Sequence, residues 1–172
     1  EQLRIYPQPD ARLLRQAIAE HHNVSVDSVV ITHAGDEALR LAITTFVPPD
    51  GVVASTEPTY SLYPVLAQIQ GASMFTQALS ADWSLPGDFA AKVNAAGAQL
   101  TCVVNPHAPS GDFTALEQLR EPASDLTGVL LVDAAYADFV DTPDAAAATE
   151  PARRRANAPA PRTSRHASSW AG

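Results

Sequence analysis

Along the first 140 residues, the apolar positions switch repeatedly between the period of a helix and that of a covered strand. Leu13, Leu14, Ala17 and Ile18 recur at helical spacing, so a helix over residues 13–21 is expected after the Pro7-Gln8-Pro9-Asp10 turn. Residues 29–32 read as a strand. Ala38, Leu39, Ala42, Ile43 and Phe46 then share one helical face, and Pro48-Pro49-Asp50-Gly51 ends it. The pattern repeats with a strand at 52–54, a helix over about 60–70, a strand near 74–78 and an amphipathic helix over 88–96. Residues 100–104 and 129–132 are short apolar runs bounded by turn residues, as expected of parallel strands covered on both faces. Such alternation predicts an α/β fold, a three-layer α/β/α sandwich around a mostly parallel sheet.

The pattern fails after Asp141. Residues 144–149 are alanine-rich, and residues 151–161 mix arginine, alanine and proline without apolar periodicity. Two regions are therefore expected, a folded domain over 1–141 and a degenerate tail over 142–172. The tail's apolar surface is too small to offset its ordering entropy, so it is expected to be largely disordered. No internal repeat is visible.

Composition narrows the partners. The 172 residues carry 19 acidic against 11 basic side chains, a formal charge of −8, which argues against nucleic acid or an anionic membrane as a partner. Small molecules and other proteins remain. The lone cysteine, Cys102, can form no internal disulfide and has no metal-ligand spacing with any of the five histidines, so no metal site is expected and a reducing cytoplasm fits best. The start lacks an apolar signal segment, and no run reaches the ~18 apolar residues of a membrane helix, which points to a soluble protein. Ten of the eleven basic residues are arginine, so Lys92 is the one lysine of the sequence.

Four segments carry candidate chemistry. His33-Ala34-Gly35-Asp36-Glu37 lies where a strand is expected to end and a helix to begin. Free backbone N–H groups and the positive end of the helix dipole would attract a phosphate there, with Gly35 allowing close approach. Taken alone, the segment fits plain capping better, with Asp36 as N-cap. In Glu57-Pro58-Thr59-Tyr60, also between strand and helix, Tyr60 would project from the same sheet edge and could stack on a flat cofactor; alone, it reads as a packed aromatic. Asn105-Pro106-His107-Ala108-Pro109-Ser110-Gly111 is a rigid loop after a buried strand, where α/β sheets line their ligand crevice. His107 has no second ligand at metal spacing and is expected to face solvent. In the fourth segment, Asp133 ends an apolar strand, where its carboxylate could pair with a protonated ring nitrogen or merely cap a turn.

In this order and spacing, the four segments resemble the fold-type I pyridoxal-phosphate (PLP) aminotransferases, and most closely the histidinol-phosphate aminotransferase family. The family's phosphate loop looks like Ala34-Gly35-Asp36-Glu37, its proline-threonine-tyrosine segment like Pro58-Thr59-Tyr60, and its aspartate-glutamate-alanine-tyrosine segment like Asp133-Ala134-Ala135-Tyr136. The resemblance spans about residues 3–141 and implies the PLP-binding large domain of that fold. It implies that amides near Gly35 and Asp36, in the loop with Glu37, hold the cofactor phosphate. Tyr60 would stack on the pyridine, Asp133 pair with its nitrogen and Tyr136 bond its 3-hydroxyl. Tyr6 would reach the phosphate of a partner subunit, so a homodimer is implied. The family reaction is amino transfer between glutamate and a histidinol-phosphate-like substrate in histidine biosynthesis.

The sequence departs from this pattern in several places. Ala108 stands where the family often has asparagine, and Ala134 replaces its usual glutamate. Laid without gaps, Arg162-Thr163 and Ala171-Gly172 fall on family positions that place His166 where the Schiff-base lysine belongs. An imidazole cannot form a persistent Schiff base, and loss of a general base alone costs about 10²- to 10⁴-fold. Lys92 falls in an expected surface helix and reads as a solvated side chain rather than a substitute. The family's second phosphate-binding arginine and its small domain have no counterpart in the 172 residues. A truncated copy with little or no activity of its own, binding PLP non-covalently at best, is therefore expected. Two further readings stay open: a PLP-dependent decarboxylase or lyase of the same fold, and a non-catalytic PLP-binding remnant. A dinucleotide-binding domain fits less well, because no strand is followed by G-x-G-x-x-G.

Overall fold

A computed structural model describes Tyr6 and residues 8–140. The expected tail over 142–172, His166 included, lies outside the described residues. Among the described residues, nine regular elements follow one another: α1 (Arg12–His21), α2 (Ala34–Phe46), β1 (Val52–Glu57), α3 (Leu62–Gln70), β2 (Ser73–Ala78), α4 (Phe89–Ala95), β3 (Leu100–Val104), α5 (Leu116–Asp125) and β4 (Val129–Asp133). Short 3-10 turns occupy Val26–Ser28 and Ala137–Phe139.

The four strands are all parallel, in the order β2-β1-β3-β4. From β1 the chain steps one way to β2, then returns across β1 to β3 and continues to β4. Because parallel crossovers are right-handed, this reversal sends successive connections to opposite faces. Strand alternation supplies each face with its own core. On one face Val53, Leu100, Cys102 and Val104 pack against Leu39 and Ile43 of α2 and Tyr63, Leu66 and Ala67 of α3. On the other, Ala54 and Val103 pack against Phe89, Ala90 and Val93 of α4 and Leu119 of α5. Three layers result, as the alternation predicts.

Local chemistry sets the element ends. Gly71, at φ 75°, closes α3 by turning its N–H back to the Ala67 and Gln68 carbonyls, a left-handed cap that glycine adopts without steric cost. Gly128 serves close approach instead: a Cβ there would lie 2.5 Å from the Ala98 carbonyl oxygen, so its absence lets β4 come in beside β3.

One expectation needs correction. Residues 29–32 form no strand: Val29 is extended, but none of the described strands pairs with this segment, and Val30 is exposed. The Arg15 side chain instead takes the Val29 and Val26 carbonyls at 2.9 and 2.8 Å. Helix α3 begins at Leu62, leaving Tyr60 in the turn ahead of it. Helix α5, to which no clear local period points, covers Leu116–Asp125; it holds Pro122 internally and buries Leu119, with the Gln118 side chain accepting the Ala115 N–H. A proline and a largely polar run obscure its period. Among the described residues no helix is long and apolar enough to cross a membrane.

Candidate functional site

The sheet reverses its winding between β1 and β3, and in open parallel sheets the crevice at such a point, beyond the carboxyl ends of the strands, is where ligands sit. Three of the four singled-out segments leave the sheet at this edge: Pro58-Thr59-Tyr60 after β1, Asn105-Pro106-His107 after β3, and Asp133 at the end of β4. Asp133 is in register with Val104 and lies two residues beyond Leu131, on the α2/α3 face of the sheet.

There Asp133 meets Tyr63, whose hydroxyl donates to Oδ2 at 2.9 Å, while the Ala135 N–H donates to Oδ1 at 3.2 Å. The carboxylate is held at both oxygens. Tyr63 is fully buried, and this burial first, then the charge of Asp133, pushes its pKa well above the usual phenol range. The hydroxyl therefore remains a donor. Sequence reasoning assigned Tyr63 no role. A signal was present, since Tyr63, Leu66 and Ala67 share one helical face, but its partner lies 70 residues away.

Tyr60 stands edge-on to Tyr63, ring centroids 5.7 Å apart at 88°, and its hydroxyl reaches Asp36 Oδ1 at 3.4 Å. The Asp36 charge is the first cause of an upward shift in its pKa, with smaller contributions from Asp133 and Tyr136. Tyr60 thus lies between the start of α2 and the end of β4.

At the start of α2, Asp36 is not the N-cap; His33 is, and it makes no side-chain hydrogen bond to the helix. Asp36 and Glu37 occupy the first turn, where their charge favours the helix dipole. Glu37 turns its carboxylate back to the His33 N–H. The first-turn amides have no intrahelical acceptor and no side-chain cap, leaving an anion-seeking end. Ala34 sits at φ 65°, in the left-handed region, whereas nothing lies within 4 Å of where a Cβ on Gly35 would stand. Among the described residues, nothing requires a glycine at 35.

His107 corrects an expectation. It is buried rather than solvent-facing: Nδ1 lies 2.7 Å from Ser110 Oγ, Nε2 lies 3.0 Å from the Pro58 carbonyl, and its ring leans on Trp83. It ties the loop after β3 to the loop after β1. Asn105, buried beside it, takes the Thr114 N–H and donates to the Thr114 carbonyl. Ala108 is exposed. Cys102 is a buried free thiol whose pKa burial pushes up to about 12. Lys92 lies on α4, in the opposite helical layer, and its ammonium pairs with Asp88 at 2.9 Å. Tyr136 follows Asp133 as an exposed ring 6.4 Å from Phe139, and Tyr6 is 98% exposed. No group of three or more metal-ligating side chains occurs among the described residues.

Comparison with known proteins places the chain in a family. A histidinol-phosphate aminotransferase of Rippkaea orientalis is 34% identical over 139 residues, which are 81% of this chain and 39% of that protein. One from Clostridium botulinum is 36% identical over 141 residues, 81% of this chain and 38% of its own length. The chain thus spans about two fifths of the curated relatives it matches. Among solved structures, the histidinol-phosphate aminotransferase of Sinorhizobium meliloti in complex with pyridoxal-5'-phosphate superposes with a TM-score of 0.76 at 24% identity, over 82% of this chain and 39% of that one. The aspartate aminotransferase of Thermotoga maritima gives 0.71 at 20% identity, over 83% and 42%. The shared architecture is therefore that of the PLP-transferase fold, in part. The family model described as aminotransferase class I and II matches residues 1–162, and the chain belongs to that family.

Proposed function

We propose that this chain supplies the cofactor cradle of a PLP-dependent aminotransferase of the histidinol-phosphate type. The observation that carries the reading is the convergence of Asp36, Tyr60, Tyr63 and Asp133, from three separate segments, at the crevice beyond β1 and β4. A dianionic phosphate, a flat ring and a basic ring nitrogen would each meet a suitable group. The uncapped amides at Gly35 and Asp36 would take the phosphate, with Glu37 holding the turn that presents them. Tyr60 would lie against the ring, Asp133 would hold its protonated nitrogen, and Tyr136 would donate to its 3-hydroxyl. The chemistry supplied by bound PLP is withdrawal of the electron pair left when a substrate's α-carbon loses its proton. Asp133 would serve it by keeping the ring nitrogen's proton in place.

Covalent attachment needs a primary amine, and the one lysine of this sequence is engaged with Asp88 in the other layer. This supports non-covalent binding by the 172 residues and little or no turnover by them alone. Substrates are taken to be a small amino donor and an imidazole-bearing phosphorylated acceptor, on the strength of the named relatives. The exposed Tyr6, reaching a second copy's phosphate, would make the assembly a homodimer. The buried free thiol fits a reducing cytoplasmic setting.

Titration of the 172-residue chain with PLP, followed by the visible spectrum and then by borohydride reduction and mass spectrometry, tests this. Saturable binding without a pyridoxyl adduct is expected. An adduct on Lys92, or no binding, contradicts the cradle.

A further inference from the structure

We infer that Tyr63 is a positioning residue for the cofactor's ring nitrogen, acting through Asp133 rather than by touching the ring. The inference rests on the cradle reading above and adds to it the group that aims the carboxylate. Asp133 sits at a strand end and is only partly buried, so its side chain could rotate about two torsions. Two donors prevent this. The Ala135 N–H holds Oδ1 from the following turn, and the Tyr63 hydroxyl holds Oδ2 at 2.9 Å from a ring with no exposed surface. A fully packed aromatic cannot follow a moving partner, so the Tyr63 hydroxyl fixes a point in space to which Asp133 must conform. Tyr60, standing edge-on to Tyr63, shares this frame, so the surface offered to a ring face and the carboxylate offered to a ring nitrogen are set by two residues three apart in the chain.

The test compares PLP with its carbocyclic analogue, in which C–H replaces the ring nitrogen, in equilibrium binding to the full chain and to Tyr63→Phe. The wild-type chain should prefer PLP, and Tyr63→Phe should reduce that preference about tenfold while leaving affinity for the analogue nearly unchanged. An equal loss for both ligands would assign Tyr63 to packing alone and overturn the inference, while PLP binding itself would still support the cradle. Failure of the wild-type chain to bind PLP would overturn both. A second measurement needs no variant. In an NMR titration of the wild-type chain, the signal of the buried, hydrogen-bonded Tyr63 hydroxyl proton should shift on addition of PLP and stay in place with the analogue. Identical responses to the two ligands would refute the coupling even if Tyr63→Phe does not fold.

Discussion

Tyr63 and Cys102 link the protein's stability to pH on the alkaline side. Burial raises both pKa values, the thiol from an ordinary 9.0 to about 12 and the phenol from 10.0 to well above the usual phenol range. Above the ordinary values, the unfolded chain releases these protons and the folded chain keeps them. Their contribution is whole below about pH 9 and is lost as pH rises, at up to about 1.4 kcal/mol per pH unit for each group. Urea midpoints measured from about pH 8 to about pH 11 should fall accordingly, and Cys102→Ala should remove the part that begins near pH 9. An unchanged slope in Cys102→Ala/Tyr63→Phe would assign the effect to other groups. Ala34 offers a second test. An alanine held at φ 65° carries a left-handed penalty of roughly 1 kcal/mol, so Ala34→Gly should raise stability in urea by up to about 0.5 kcal/mol once glycine's greater unfolded freedom is subtracted. A lower midpoint would show that this backbone is not strained.

Elements were readable wherever a local period reports burial on one or both faces. Strands β3 and β4 are apolar runs because helices cover both sides of the sheet, and α2 shows its stripe because only one face meets the core. Residues 29–32 mislead for the same reason: the pattern is strand-like, but a strand also needs a neighbour, which local sequence does not report. Loop contacts were likewise hidden. His107 lies in a run of prolines and small residues that reads as exposed, yet it spans 49 residues to the Pro58 carbonyl. His107→Leu removes both ring hydrogen bonds and should lower stability by about 1–3 kcal/mol, detectable as a fall in Tm. No change would mean that the Trp83 contact alone anchors the loop. Gly128→Ala would push β4 away from the Ala98 and Gln99 carbonyls and should cost about 1–3 kcal/mol. Unchanged thermal stability would show that the strand shifts at no cost.

For the whole molecule, binding and folding are linked. A ligand that recognises the assembled crevice and not the unfolded chain stabilises the fold by about 2.7 kcal/mol at a concentration one hundred times its Kd. PLP should therefore raise Tm in step with its own binding curve. Asp133→Ala should weaken that response more than Lys92→Ala, because one removes the proposed ring-nitrogen partner and the other an exposed ion pair. Equal responses would place the binding elsewhere. From the sequence alone came the three-layer class, the positions of most elements, the order of the four candidate segments, and the restriction of amine chemistry to Lys92, because each depends on residue identity or on a period of a few residues. The strand order, the approach of Tyr63 to Asp133 and of Tyr60 to Asp36, and the burial of His107 were decided by tertiary structure. They depend on crossover handedness and on register between strands distant in the chain, and no local pattern carries that information.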